Sequence, residues 1–257
     1  MQDADKKTRR HSELLAHLHQ HHFISLEDIS SRFAVTSQTA RRDLITLEEA
    51  GKVVRRHGGA TLAEPPIDPV TYRRRRIEHA AGKARIGRRV AELVGDGAAL
   101  FLDTGTTCEA VAAELTARRD LRVVTYSLRS ATLLSEVESV SVAVPGGFVR
   151  HVDAGVLSHG TEDFVRRFRF DAAVISVSGI DAGGEMGDDD PGEVLAVRAA
   201  MQRADRTILA VDSSKFGRRA LVCLGSIADV DILVTDVDPP PELRALLEAG
   251  GVTVEVC

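Results

Sequence analysis

"TARRDLITLEEAGKVVRRHGG", Thr39 to Gly59, decides how the front of this chain folds. Ala40, Leu44 and Leu47 stand at i, i+4 and i+7, the spacing of one buried helical stripe. At about 100° per residue, Gln38, Arg42, Ile45 and Glu49 point away from that stripe, and Ser37 and Arg41 lie on the flank nearer the helix start. Thr36 supplies an N-cap and Gly51 a stop. The run after Gly51, KVVRRHGGATL, reads as strand, tight turn at Gly58-Gly59, strand.

Upstream, Leu14, Leu15 and Leu18 recur at helical spacing in a run from near Lys6 to His21 and His22. Ser25, with Asp28 three residues on, opens a second helix whose inward residues are Leu26, Ile29 and Phe33. Two short helices, a capped third with a polar start, and a glycine hairpin make a winged helix-turn-helix. An exposed Arg-Arg pair alone is ordinary solvated surface; the combination is what points to DNA. In a major groove, Arg41 and Arg42 can bind guanine bidentately and Gln38 can bind adenine. The hydroxyls of Thr36, Ser37 and Thr39, with the helix start, reach phosphates, while Arg55, Arg56 and His57 track the backbone from the wing.

Charge divides the chain in the same place. Residues 1–62 hold ten Lys and Arg against eight Asp and Glu, a net of +2 inside a chain whose formal charge is -5, and six of the nine His. A positive end on an acidic body can orient a protein on a polyanion. Aromatic residues make up 4% of the sequence and Trp is absent, so the core is expected to be Val, Leu, Ile and Ala in sheet-and-helix layers. Cys108, Cys223 and Cys257 share no short ligand spacing, and the polar start MQDADKKTRRH has no apolar run behind it. Both suit reduced thiols in a cytoplasm, with no membrane.

Ala63 to Pro69, AEPPIDP, is Pro-rich and aperiodic and reads as a boundary, followed by Tyr72-Arg-Arg-Arg-Arg76. The expected division is a DNA-binding domain over 1–62, a linker over 63–80 and a sensing α/β domain over 81–257. From Ala81 a new amphipathic helix carries Ile86, Val90, Leu93 and Val94 on one face. Beyond it, short apolar runs at 98–102, 122–126, 140–144, 172–177, 208–211 and 232–235 alternate with helical segments. Such a pattern predicts a mostly parallel sheet covered on both faces, with ligands gathering at the C-terminal strand ends.

Polar residues collect there. Asp103-Thr-Gly-Thr-Thr107 leads into a helix, so Gly105, Thr106, Thr107 and the opening N-H groups supply the parts of a phosphate cradle. Gly146-Gly147 follows the third run, Ser178-Gly-Ile-Asp181 the fourth, and Asp212-Ser-Ser-Lys215 the fifth. Each alone is an ordinary strand-to-helix turn; the set, on one sheet edge, favours a shared pocket for a small phosphorylated ligand. Asp188-Asp-Asp190, followed by Pro191-Gly192, reads as a solvated loop, and His19, His21 and His22 as an exposed helix end, so neither is taken as a metal site.

The stretch Phe33-Ala-Val-Thr-Ser-Gln-Thr-Ala-Arg-Arg-Asp-Leu44, with Leu47-Glu-x-x-Gly51 and Arg56-His-Gly-Gly-Ala60, resembles the DNA-binding signature of the deoxyribose-operon repressor (DeoR) family. Thr36 stands where that family generally has Ser, which keeps the cap, and Ala40 where a larger apolar residue is common. The body resembles the same family's sensing half through Lys83-x-x-Ile86, Asp103-x-Gly-Thr-Thr107, Gly146-Gly147, Ser178-Gly-Ile-Asp181 and Asp212-Ser-Ser-Lys215-Phe216. That half is similar to ribose-phosphate isomerases and coenzyme A transferases. The resemblance implies that Gly105, Thr106 and Thr107 carry the phosphate, that Asp181 and Lys215 face the sugar, and that Lys83 joins them.

It implies a homo-oligomeric repressor, without cofactor, that binds duplex operator DNA and a phosphorylated sugar or related metabolite. The rival is a sugar-phosphate isomerase carrying a DNA-binding domain. Against it, Ser178 stands where the isomerases have a carboxylate, and Val197 falls near the place of their catalytic Glu, with Glu193 about a turn away.

Overall fold

A computed structural model describes residues 2–21, 23–50, 52–56, 58–62, 69–158 and 160–257. The chain divides into two compact units, residues 1–67 and 68–257.

In the first unit, α1 (Gln2–His21) and β1 (Phe23–Ser25) precede α2 (Leu26–Phe33) and α3 (Ser37–Glu49), and β2 (Val53–Arg56) and β3 (Gly59–Leu62) follow. Local chemistry sets the boundaries. Ser25 and Asp28 close a capping box at α2, and the Thr36 hydroxyl accepts from the Thr39 N-H at 3.2 Å at the start of α3. Ala34, at φ 50°, makes the left-handed turn between the two helices. Leu14, Leu18, Ile24, Ile29, Ala40, Leu44, Leu47, Val53 and Ala60 form the core. The third helix closes at Ala50; Gly51, read as its stop, lies outside the described residues.

Strand β3 lies between β1 and β2, all antiparallel. Gly58, at φ +80°, sits in the hairpin turn, but Gly59 already pairs with Arg56, so the expected Gly58-Gly59 turn is displaced by one residue. The three-residue β1 went unread because it is too short to show a period.

The second unit begins with α4 (Pro69–Ile77), so the rear of the stretch read as a linker is helical, while residues 63–68 lie outside the described set. Tyr72 explains the difference: it is buried in the body and its hydroxyl donates to Glu109. Next come α5 (Ala80–Leu93), β4 (Ala99–Leu102), α6 (Thr106–Leu115), β5 (Arg122–Val124), α7 (Leu128–Ser135) and β6 (Ser141–Ala143). A short hairpin, β7 (Phe148–Val149) and β8 (Val156–Leu157), leads to α8 (Thr161–Arg166) and β9 (Ala172–Ile175). After β10 (Gly179–Ile180) and β11 (Glu185–Asp188) come α9 (Pro191–Met201), β12 (Thr207–Ala210), β13 (Val222–Ser226), β14 (Ile232–Thr235), α10 (Pro241–Ala249) and β15 (Thr253–Val256).

Seven of these strands form one parallel sheet in the order β15-β14-β12-β9-β4-β5-β6. Alternate residues feed opposite cores. Leu100 and Leu102 pack beneath α5, α6 and α7, whereas Phe101 packs with α8, α9 and α10. The chain order reverses between β4 and β9, the kind of switch point at which ligands gather in open α/β sheets. Helices α5 and α6 approach closely at Gly87, where an added Cβ would lie 2.6 Å from the Ala110 carbonyl oxygen. Beside the main sheet stands a small antiparallel one, β10-β11-β13. Among the described residues, no helix is long and apolar enough to cross a membrane.

Candidate nucleic-acid interface and sensor cleft

The third helix presents what its spacing promised. Thr36, Ser37, Gln38, Arg41 and Arg42 are exposed and Thr39 is partly so, while Ala40, Leu44 and Leu47 are buried. Two of the polar groups have structural work as well: the Thr36 and Thr39 hydroxyls lie 2.9 Å apart and close the N-terminal cap. The wing is tied to the same helix, because the Arg55 Nε donates to Glu48 at 2.6 Å and its backbone N-H to the same carboxylate at 3.2 Å. Arg56 ends β2, and His57 lies outside the described residues.

One residue of this helix escaped the sequence reading. Asp43 falls inside the apolar stripe, at i+3 from Ala40, and is 2% exposed. Its carboxylate accepts from Arg10 Nε at 2.6 Å and Nη2 at 3.0 Å, and meets His11 Nε2 at 2.9 Å. Burial pushes its pKa upward, but the bonds from Arg10 and His11 outweigh burial and leave it below the usual carboxylate value. A charge at an apolar-stripe position was the available signal.

In the body, the ten residues expected at the effector site separate into groups. Lys83 and Lys215 share a cleft of about 150 Å³ whose other charged walls are Arg75, Arg218, Glu78 and Asp212, with His79 and Ser214. The Lys83 ammonium donates to the backbone carbonyls of Arg75 and of Glu78, the latter at 2.9 Å, and stands 3.7 Å from Asp212. Burial presses both lysines below their ordinary pKa, with Asp212 pulling the other way. Arg75, Asp212 and Arg218 are additions the sequence reading did not make as site residues.

The second group sits at the β4/β9 switch point. Helix α6 starts at Gly105, at φ +105°, with no side-chain cap, and the neighbouring Thr104 hydroxyl is buried without a hydrogen-bond partner among the described residues. Thr107 is buried and Thr106 partly so. Asp103 is turned into the protein: it accepts from the Tyr126 hydroxyl, from the Ser176 N-H at 3.1 Å and from the Thr104 N-H at 2.8 Å. Burial pushes its pKa up to about 7.

The remaining four expected residues make local contacts or lie exposed. Asp181 accepts from the N-H groups of Gly183 and Glu185 and closes the β10–β11 turn. Ser178 donates to Asp188 at 2.8 Å. Gly146 and Gly147 are exposed at the start of the β7–β8 hairpin, where the Gly146 carbonyl accepts from Ser158.

The acidic run 188–190, read as a solvated loop, is largely built in. Asp188 takes the Ser178 bond, and Asp190 caps α9 and pairs with Arg150 at 2.9 Å; only Asp189 is exposed. Arg150 is also held by Asp153, at 2.5 Å and 2.8 Å, and by Glu193. Burial and these carboxylates act in opposite directions on the guanidinium, and the carboxylates prevail and raise its pKa. The acids at the start of α9, 40 and 43 positions from Arg150, could not be read from spacing.

A helix with one packed face and an arginine-bearing outer face, followed by a β-hairpin, and a separate α/β unit with a cationic cleft at its strand ends together define a helix-turn-helix transcriptional regulator with a sensor domain. Residues 10–65 match the DeoR-like helix-turn-helix domain, and residues 78–237 match the DeoR C terminal sensor domain. The chain belongs to the DeoR family of transcriptional regulators. It is 37% identical over 252 residues, covering 98% of this chain and 100% of the relative, to the glycerol-3-phosphate regulon repressor of Escherichia coli K12. It is 32% identical over 245 residues, 95% of this chain and 94% of the other, to the transcriptional repressor CsqR of the same organism. Among solved structures, a ribose 5-phosphate isomerase from Methanocaldococcus jannaschii aligns with a TM-score of 0.41 and 16% identity over 54% of this chain and 55% of that one.

Proposed function

We propose that this regulator is a repressor whose operator affinity is set by a small phosphorylated polyol or sugar bound at the strand-end edge of the body. The carrying observation is the cleft: Arg75, Lys83, Lys215 and Arg218 face one another against Glu78 and Asp212, within an otherwise acidic unit. An anion there relieves the mutual repulsion of buried cations and restores the lysines' preference for their charged form. The uncapped start of α6 and the Thr104 hydroxyl, unpartnered among the described residues, support a second anchoring point for an anion. That a relative is named for a glycerol-3-phosphate regulon makes a three-carbon phosphate the first probe.

On the DNA side, Arg41 and Arg42 read bases from α3, with Gln38 beside them, and Thr36, Ser37, Thr39, Arg55, Arg56 and His57 hold phosphates. One such helix spans few base pairs, so the working form is a symmetric homo-oligomer on repeated half-sites.

The test uses full-length protein and a duplex it selects from a random pool. Glycerol 3-phosphate or ribose 5-phosphate is expected to change operator affinity by roughly 5- to 150-fold and to raise the body's melting temperature, and Lys215→Met to abolish both. Absence of any response to either compound overturns the effector reading; aldose-ketose conversion without an effect on DNA favours the isomerase rival. Arg42→Ala is expected to cost roughly 1 to 3 kcal/mol on the selected duplex and far less on unselected duplex.

A further inference from the structure

Helix α3 is held in its unit by an apolar stripe and, near its C-terminal end, by the two bonds from Arg55 to Glu48. Ala40, Leu44 and Leu47 are aliphatic side chains along one stripe, and apolar contact of this kind is non-directional. Rotation matters here because the residues proposed to read bases lie on the opposite face. A turn of about 15° moves a group some 5 to 6 Å off the axis by roughly 1.5 Å, against a tolerance of about 0.5 Å for a productive contact.

Asp43 supplies a directional restraint from α1, in the half of α3 that carries Arg41 and Arg42. It lies next to Arg42 on the inward flank of α3, and its two oxygens are gripped by the Arg10 fork at 2.6 Å and 3.0 Å, with His11 on the oxygen shared with Nη2. Both partners come from α1 and are themselves mostly buried. A fork on a carboxylate fixes angle as well as distance, which apolar contact does not. Lys7 adds a bond from α1 to Thr46 at 3.3 Å, one turn further along α3. A buried ion pair is a poor stabiliser against an apolar replacement of equal volume, so its presence in an apolar stripe calls for a role other than stability.

We propose that Asp43, clamped by Arg10 and His11, is a positioning residue that fixes the azimuth of α3 and thereby the sequence discrimination of Arg41 and Arg42. The inference rests on α3 being the helix that meets the bases. Discrimination is then sensitive to the geometry of the fork, and non-specific attraction to phosphates is not.

Wild type, Arg10→Lys, Asp43→Asn and Arg42→Ala, all full-length, are each used to select duplexes from one random pool. Each is also titrated at fixed salt with the wild-type-selected duplex and an unselected one, and melted to check cooperative unfolding. Arg10→Lys keeps the charge and one bond but loses the fork. It is expected to lower the selected-to-unselected affinity ratio by about 5-fold or more and to broaden the selected motif, with unselected binding and its salt dependence unchanged. Asp43→Asn is expected to act alike, and if it fails to fold Arg10→Lys decides alone.

An Arg10→Lys ratio and motif equal to wild type, with Arg42→Ala impaired, overturns the clamp and leaves the reading of α3 standing. A ratio untouched by Arg42→Ala as well overturns that reading and the clamp with it. Parallel loss on both duplexes together with lost cooperative melting in Arg10→Lys marks a purely structural pair and also overturns the proposal.

Discussion

Replacing Arg150 by Met tests how the sensor unit is held at its strand ends. The guanidinium is nearly enclosed and bridges Asp153, Asp190 and Glu193, which come from the β7–β8 hairpin and the start of α9. Met keeps much of the length and removes the charge, so three carboxylates face one another without a counter-ion. Breaking a buried ionic contact from one side costs about 3 to 5 kcal/mol, and in a unit of this size each kcal/mol lowers the melting temperature by roughly 2 to 4 °C. A fall of about 10 °C near neutral pH is expected.

The pH dependence carries the sharper test. In the wild type, the Arg150 bonds outweigh burial and hold Asp153 below its usual pKa, so its stabilising effect is full above the unfolded value near 4 and is lost as pH falls through the folded value. Glu193 is pushed well up by burial, against the pull of Arg150. Without Arg150 the buried acids favour protonation, and keeping each neutral costs about 1.4 kcal/mol more per pH unit above its unfolded pKa. The variant therefore loses stability as pH rises, and the gap to wild type widens from pH 5 to pH 7. Urea unfolding followed by circular dichroism at several pH values measures it. A gap below about 1 kcal/mol, or one that stays constant across that range, refutes the account of the cluster as a charge cage.

Two further outcomes are expected. Gly87→Ala places a Cβ 2.6 Å from the Ala110 carbonyl oxygen, forcing α5 and α6 apart at a cost of roughly 1 to 3 kcal/mol; urea unfolding unchanged from wild type contradicts that close approach. Asp103, whose folded pKa near 7 lies above the unfolded value, favours the folded state most at low pH, so that contribution declines between about pH 4 and pH 7 and then levels off. Asp103→Asn is expected to flatten that slope, and a slope that persists at full size assigns the titration elsewhere.

Much of this protein is legible from short windows. The caps at Ser25 and Thr36, the stripe of Ala40, Leu44 and Leu47, and the left-handed Gly58 depend on residues within a few positions of one another, where hydrogen bonds and periodicity act locally. The inner strands were equally plain, since strands covered on both faces must be continuously apolar. Strand β15, at the sheet edge and half exposed, lacks that signature, and β7, β8 and β10 are two residues long, made strands only by the chain beside them.

The sites divide on the same line. An exposed face on α3 follows from its own turn angle, but Asp43 finds Arg10 33 positions away, and Arg150 finds Glu193 43 positions away. Such partners share no local pattern; only the packing of α1 on α3, or the parallel order that gathers strand ends along one edge, brings them within bonding distance. The sequence by itself determined the capped helices of the first unit, the continuously apolar inner strands of the second, and which face of the third helix meets solvent. Tertiary structure alone decided which charges are buried together, because the energy of a buried ion depends on its neighbours in space and not on those in the chain.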